Sequence, residues 1–236
     1  MPELPEAEVA ARQLRERVVG ATVRDCWIGR EDIVREGLPS LEQYRQAKIA
    51  GVERKGKSVI LHFLCGRQPR FLVAELGMTG LLLFRSTSTK HPQHTHFILH
   101  LDGCCEPDIR YWNPRRFGRL SLLDQAGLDR YVARRFGHDP LTINHEQFLR
   151  VLRATRSRLK SLLMHQQVIA GIGNIYANEI LFRSCLHPNQ PSNTIPERSI
   201  VRLHQVMGEV LREAIAMGGS SVRDYFAPDG TEGQYK

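Results

Sequence analysis

Eight short β-rich runs crowd the first half of this chain, at residues 22–28, 49–54, 58–64, 71–76, 81–84, 96–101, 109–112 and 119–123. Turn signals punctuate them at Lys55-Gly56, Gly77 to Gly80 and Asp102-Gly103. Closely spaced strands with short turns predict an antiparallel sandwich or barrel. One helix leads into them. Ala7, Ala10, Ala11, Leu14 and Val18 recur at helical spacing, and Gly20 is placed to end that helix.

The pattern changes after Asp124. Asn144-His145-Glu146-Gln147 reads as a capping box ahead of apolar Phe148, Leu149, Val151 and Leu152. Thr194-Ile195-Pro196-Glu197 is a second helix start, with Thr194 as the cap. Ile200, Leu203, Met207, Val210, Leu211 and Ala214 follow on one face, and Gly218-Gly219 closes the helix. The chain therefore reads as α+β. A β-sandwich domain with its leading helix spans residues 1–124, a linker 125–143 and an all-α domain 144–236.

Met1-Pro2-Glu3-Leu4-Pro5-Glu6 carries the most chemistry. Removal of Met1 leaves Pro2 with a free secondary amine, and an α-amino group titrates at about 7.7–8.0, so part of it is an unprotonated nucleophile at neutral pH. Glu3 adjoins the amine and can give or take protons; Glu6 lies one turn further on. Such a pair suits attack on an electrophilic sugar or carbonyl carbon through an imine. The same residues also suit a helix start, with Pro5 and the acids in the first turn.

Lys plus Arg number 33 against 25 Asp plus Glu, a net charge of +8 that favours an anionic partner, nucleic acid first. No apolar run approaches the ~18 residues of a membrane span, and the acidic N-terminus is unlike a signal peptide. The five cysteines are odd in number and lack Cys-x-x-Cys spacing, so they read as reduced, mostly buried cytosolic thiols with no encoded zinc site. His94, His96 and His100 would share a strand face. With no cysteine nearby to complete a tetrahedral set, they read as strand or phosphate-facing histidines.

Several turns could touch nucleic acid. Gly171-Ile172-Gly173-Asn174 feeds a helix and offers backbone N–H groups to phosphate, with Asn174 and Lys160 as possible additions; Tyr176 stands where a dinucleotide fingerprint needs glycine. Asn113-Pro114-Arg115-Arg116-Phe117-Gly118 joins two strands and combines arginines with an aromatic side chain suited to insertion between bases. Gly77-Met78-Thr79-Gly80 presents an apolar wedge of the kind that holds a duplex open during base extrusion. Lys57 follows the Lys55-Gly56 turn and suits a phosphate beside the amine. Each segment alone is equally readable as a structural turn.

Together, Pro-Glu-Leu-Pro-Glu, Arg-Lys-Gly-Lys, Leu-Gly-Met-Thr-Gly, Pro-Arg-Arg-Phe-Gly and Gly-Ile-Gly-Asn-Ile-Tyr-Ala resemble, in content and order, the bacterial formamidopyrimidine-DNA glycosylase family. The resemblance runs from Pro2 to Arg223. It implies a β-sandwich domain and a helix-two-turns-helix domain gripping DNA in the cleft between them. It implies Pro2 as the nucleophile toward C1′ of a flipped, oxidised purine nucleotide, Glu3 as the acid and Glu6 as support. Lys57 and Asn174 would hold phosphates, while Met78, Arg115 and Phe117 fill the void and Arg116 anchors the backbone. Lys160 and Tyr176 join the implied DNA-binding set, and 218–225, with Arg223, the loop over the damaged base. The expected partner is double-stranded DNA with oxidised bases or abasic sites, met by a monomer in the bacterial cytoplasm.

Three departures stand out. Family members usually continue into a four-cysteine zinc finger, whereas this sequence stops at Lys236, so no cofactor is expected within it. Glu75 stands where a phosphate-contacting histidine is common, and an acid there is expected to repel DNA. Asn113 replaces the usual Asp before Pro-Arg-Arg-Phe-Gly. Two other readings fit part of the pattern: an oxidised-pyrimidine glycosylase of the endonuclease VIII type, and a non-catalytic DNA-binding relative.

Overall fold

A long first helix organises the molecule because its apolar residues are shared between two cores. In the computed structural model, which describes residues 2–88, 92–220 and 225–236, α1 spans Leu4–Val18. Pro5 occupies its first turn, where a missing N–H costs nothing. Ala7, Ala10, Ala11, Leu14 and Val18 pack into the core of the β lobe, whereas Leu4 and Val9 pack into the core of the helical lobe. Full burial of a leucine contributes roughly 1.5–3 kcal/mol, so each lobe holds α1 independently.

Nine strands follow: β1 (Thr22–Ile28), β2 (Val34–Glu36), β3 (Lys48–Lys55), β4 (Ser58–Cys65), β5 (Gln68–Glu75), β6 (Leu81–Phe84), β7 (Thr95–Asp102), β8 (Asp108–Trp112) and β9 (Arg119–Leu123). They hydrogen-bond in the order β2-β9-β5-β4-β3-β1-β7-β8-β6. The β1–β3 seam holds at one register pair, Thr22 opposite Lys48. The sheet halves on either side share one core, in which Leu61, Phe63 and Leu72 meet Phe97, Leu99 and Tyr111. This is the sandwich expected from the turn spacing. It departs from that expectation at β2, a three-residue strand invisible to periodicity, which runs parallel to β9.

Residues 125–143, read as a linker, begin with a helix. After the four-residue α2 (Arg85–Ser88), α3 spans Gln125–Arg135 and is capped by Asp124, whose Oδ1 accepts the Gly127 N–H at 2.7 Å. Leu128 and Tyr131 pack on Ile60, Phe71, Val73 and Leu123, so α3 covers the outer face of the sheet. Four helices make the other lobe: α4 (His145–Arg153), α5 (Leu159–Leu163), α6 (Asn174–Ser184) and α7 (Glu197–Ala216). The Asn144–Gln147 capping box forms in both directions, at 2.9 and 3.1 Å. Thr194 does not cap α7. Its hydroxyl donates to Pro191 O at 2.8 Å within a short 3-10 turn, and Pro196 takes the N-cap position.

Arg54 ties this assembly together. Its side chain is 6% exposed and reaches Glu8 on α1, the Gly56 carbonyl and Asp139 beyond α3. Burial pushes the Glu8 carboxyl up, but hydrogen bonds from Arg12 and Arg54 outweigh it and hold the group below its ordinary value. The stability that Glu8 contributes is therefore present above the ordinary carboxylate pKa and lost as pH falls through the lower folded value. Glu8→Gln is expected to cost about 1–3 kcal/mol at neutral pH. In urea unfolding measured across pH, its deficit against the unsubstituted protein should shrink in acid.

Candidate active site

The Glu3 side chain is fixed on both carboxylate oxygens. It is 0% exposed, and its carboxylate lies across the N-terminus of α6, accepting N–H groups from Gly173 at 2.7 Å, Ile175 at 3.0 Å and Tyr176 at 3.4 Å. These are the N–H groups that a helix start leaves without partners, at the positive end of its dipole. The next N–H, from Leu4, donates to Gly171 O at 3.0 Å. Glycine at 173 leaves room for both groups: a Cβ there would crowd the Glu3 carboxyl and the Lys57 Nζ and displace their side chains. The glycine turn therefore binds an anion, but that anion is the protein's own carboxylate.

Glu6 lies behind Glu3, 1% exposed. It accepts the Glu3 N–H at 2.7 Å, the Tyr176 hydroxyl at 2.6 Å and the Ser220 N–H at 2.7 Å. Tyr225 donates its hydroxyl to Glu6 O at 3.1 Å. Pro2 is buried at the head of this cluster, one residue from Glu3. Burial drives the Glu3 carboxyl above its ordinary value against the opposing pull of Lys57 and the backbone N–H groups. Burial likewise lowers the Lys57 ammonium, opposed by Glu3 and Glu6. Both shifts narrow the gap between acid and base, which favours proton transfer near neutrality.

The two turns read as wedges form one unit. Met78 is 39% and Phe117 57% exposed, and the Arg115 guanidinium sits 5.1 Å from the Phe117 ring centroid. Gly77, at φ +61°, lets the first turn press on the second, since a Cβ there would meet Gly118 N at 2.5 Å. Asn113, fully buried, joins them. Its Oδ1 accepts from the Arg116 N–H at 3.0 Å and the Thr79 hydroxyl at 3.2 Å. Its Nδ2 must then be the donor to Tyr111 Oη at 3.1 Å, and Tyr111 donates onward to Glu75 O at 2.6 Å. Arg116 adopts φ +55°, a left-handed conformation held by that bond.

The structure thus brings Pro2, Glu3, Glu6 and Lys57 together and exposes Met78, Arg115, Arg116 and Phe117 on one fused edge. Asn174 is exposed at the start of α6. Tyr176, expected on the DNA side, is instead fully buried against Glu6, because its hydroxyl is the partner that a buried carboxylate requires. Lys160 is half-buried on α5, and among the described residues no hydrogen bond or ion pair joins it to the Glu3 cluster. Arg223 lies outside the described residues. Glu75 is not a bare negative charge. Arg35 and Arg135 each approach it at 3.2 Å, and burial raises its pKa against their pull.

Sequence reasoning missed Gln166, and it put Ser220 and Tyr225 in the loop over the damaged base, whereas both hydrogen-bond Glu6. Gln166 braces the glycine turn through Gly171 N and Ile172 O, both at 2.8 Å, and no local pattern marks it. Two of the three histidines expected on one strand face are on that strand and paired: His96 meets Asn113 O at 3.0 Å, and His100 meets Asp108 at 2.6 Å, whereas His94 lies before the strand in a 3-10 turn, edge-on to the Trp112 ring. Among the described residues no three His, Cys, Asp or Glu side chains converge as metal ligands, and the five cysteines are dispersed.

Comparison with known proteins gives a consistent set of matches. The formamidopyrimidine-DNA glycosylase N-terminal domain matches residues 1–120, and the H2TH domain of the same glycosylase matches residues 136–225. The Thermomicrobium roseum formamidopyrimidine-DNA glycosylase is 36% identical across 100% of this chain and 86% of its own length. The Solibacter usitatus enzyme of that name is 37% identical, over 100% and 85%. The crystal structure of MutM (Fpg) from Thermus thermophilus superposes with a TM-score of 0.84 at 36% identity, covering 98% of this chain and 84% of that one. Lactococcus lactis Fpg in complex with DNA containing an abasic site gives 0.85 at 28% identity, over 98% and 84%.

The Asn113 network makes a directional prediction. A carboxylate at 113 accepts but cannot donate, and the single Tyr111 hydroxyl proton cannot serve both it and Glu75 O. Asn113→Asp is therefore expected to destabilise the protein by about 1–3 kcal/mol in urea unfolding, the cost of a buried polar group left without its partner.

Proposed function

The chain belongs to the formamidopyrimidine-DNA glycosylase family, and on that premise we propose that it excises oxidised purines from double-stranded DNA and cleaves the resulting abasic site. The observation that carries the reading is the placement of the N-terminal segment. Glu3 is held on the start of α6, which keeps Pro2 in a buried cluster with Glu6 and Lys57.

The chemistry follows from these groups. After Met1 is removed, the Pro2 nitrogen attacks C1′ of the damaged nucleotide and forms a C–N bond as the bond from C1′ to the base breaks. The leaving base takes a proton, and Glu3, with its pKa raised by burial, is suited to supply it at the base or sugar. The alkylated nitrogen then gives up its proton and the C1′–O4′ bond breaks with O4′ taking up a proton, which opens the sugar ring to an iminium, necessarily cationic because the proline nitrogen is secondary. That cation acidifies the C2′ proton, so its removal expels the 3′ phosphate by β-elimination. A further elimination then expels the 5′ phosphate.

Lys57 is placed to hold a phosphate beside the extruded nucleotide, and Asn174 to hold another at the α6 terminus. Met78, Arg115 and Phe117 suit the space left in the duplex, with Arg116 on the backbone. Residues 1–124 act as the catalytic lobe and 144–236 as the helical DNA-binding lobe, while α3 packs with the former.

Borohydride reduction in the presence of abasic-site DNA is expected to trap a covalent adduct at Pro2. Retention of Met1 should abolish trapping while leaving DNA binding largely intact. Absence of an adduct with Met1 verified as removed would refute the lyase. Excision from an 8-oxoguanine duplex but not a thymine-glycol duplex is the expected lesion preference; the reverse would assign the pyrimidine branch.

A further inference from the structure

Beyond the site itself, we propose that α3 carries a second DNA-backbone contact, an arginine track that leaves the cleft beside Lys57 and continues over the outer edge of the β lobe. This inference rests on the proposed function only in taking DNA as the polyanion. A cavity of about 240 Å³ opens next to Lys57 and is lined by Glu75, Tyr131, Arg135 and Gln166. A second cavity, of about 250 Å³, lies beyond it, and Tyr131 and Arg135 line both. The two cavities are therefore neighbours along α3, with Tyr131 and Arg135 common to both.

The second cavity is basic. Arg35 from β2 and Arg130, Arg134 and Arg135 from α3 converge on it, and the acids Glu36 and Glu75 only partly offset them. Arg130 and Arg134 stand four residues apart on one helix face. Both are exposed, and among the described residues neither forms an ion pair. Arg135 is preorganised: Glu75 holds its guanidinium from one side and the Tyr131 ring, at 4.8 Å, from the other. A rigid arginine beside Lys57, followed along the helix by two unpaired ones, matches successive phosphodiesters on a strand, since the planar guanidinium recognises phosphate in a bidentate way. Glu75 thus positions arginines at the mouth of the cleft, so an acid at this place need not repel DNA.

The test is equilibrium binding of the full chain to an uncleavable duplex carrying a tetrahydrofuran abasic analogue, over a range of salt concentrations. Each phosphate neutralised contributes about 0.9 to the slope of log K against log salt. Arg130→Gln/Arg134→Gln is expected to lower the slope by nearly two on a long duplex and to leave it unchanged on a short duplex confined to the cleft. An unchanged slope on the long duplex would overturn the proposal. So would a slope lost equally on both duplexes, which would place these arginines inside the cleft contact. Inorganic phosphate that raises the melting temperature through these residues without any slope difference would reveal a small-anion site and likewise overturn it. Failure of the glycosylase reading would instead appear as absence of cleavage by the unsubstituted protein, a result independent of this comparison.

Discussion

The Glu3 carboxylate on the N-terminus of α6 is the contact through which the two lobes and the chemistry are joined. A helix start leaves N–H groups without partners, and here three of them find a side chain from the opposite end of the sequence. The exchange works in both directions. The carboxylate avoids the cost of burial without partners, while the helix fixes the chain terminus to within a hydrogen bond. Leu4 can then enter the helical core and Ala7 the sandwich core, which makes α1 a shared wall rather than a surface element.

Acids inside this structure are handled by supplying partners rather than by excluding charge. Glu6 receives a backbone N–H from Glu3, another from Ser220 and the Tyr176 hydroxyl. Glu8 receives two arginines, and Glu75 another two. The difference lies in burial: burial wins at Glu3 and Glu75, where the carboxyl is harder to ionise, and loses at Glu8. Local geometry therefore gives one residue type an acid's character at the site and a structural anion's character on α1.

Much of the fold is legible in the sequence where a pattern repeats. Eight strands follow from alternation and turn signals, and the Asn144 cap follows from its side-chain chemistry. Three readings needed the third dimension. β2 is too short to show a period and exists because β9 offers it an edge. α3 looks polar along most of its length, and only the packing of Leu128 and Tyr131 on the sheet makes it part of a lobe. Thr194 has the right identity for a cap, but its hydroxyl is taken by Pro191 O before α7 begins.

Residue identity and spacing specify the parts: an N-terminal proline beside acids, two glycine-bearing turns, an arginine-rich edge and a basic balance. Such properties survive any arrangement of the chain. Tertiary packing settles what each part faces. The glycine turn that reads as a phosphate cradle holds Glu3, the tyrosine that reads as a DNA contact holds Glu6, and the acid that reads as repulsive holds two arginines. The reason is that a buried polar group must be paired, and its partner arrives from anywhere in the chain: Glu3 and Gly173 are 170 positions apart, as are Glu6 and Tyr176.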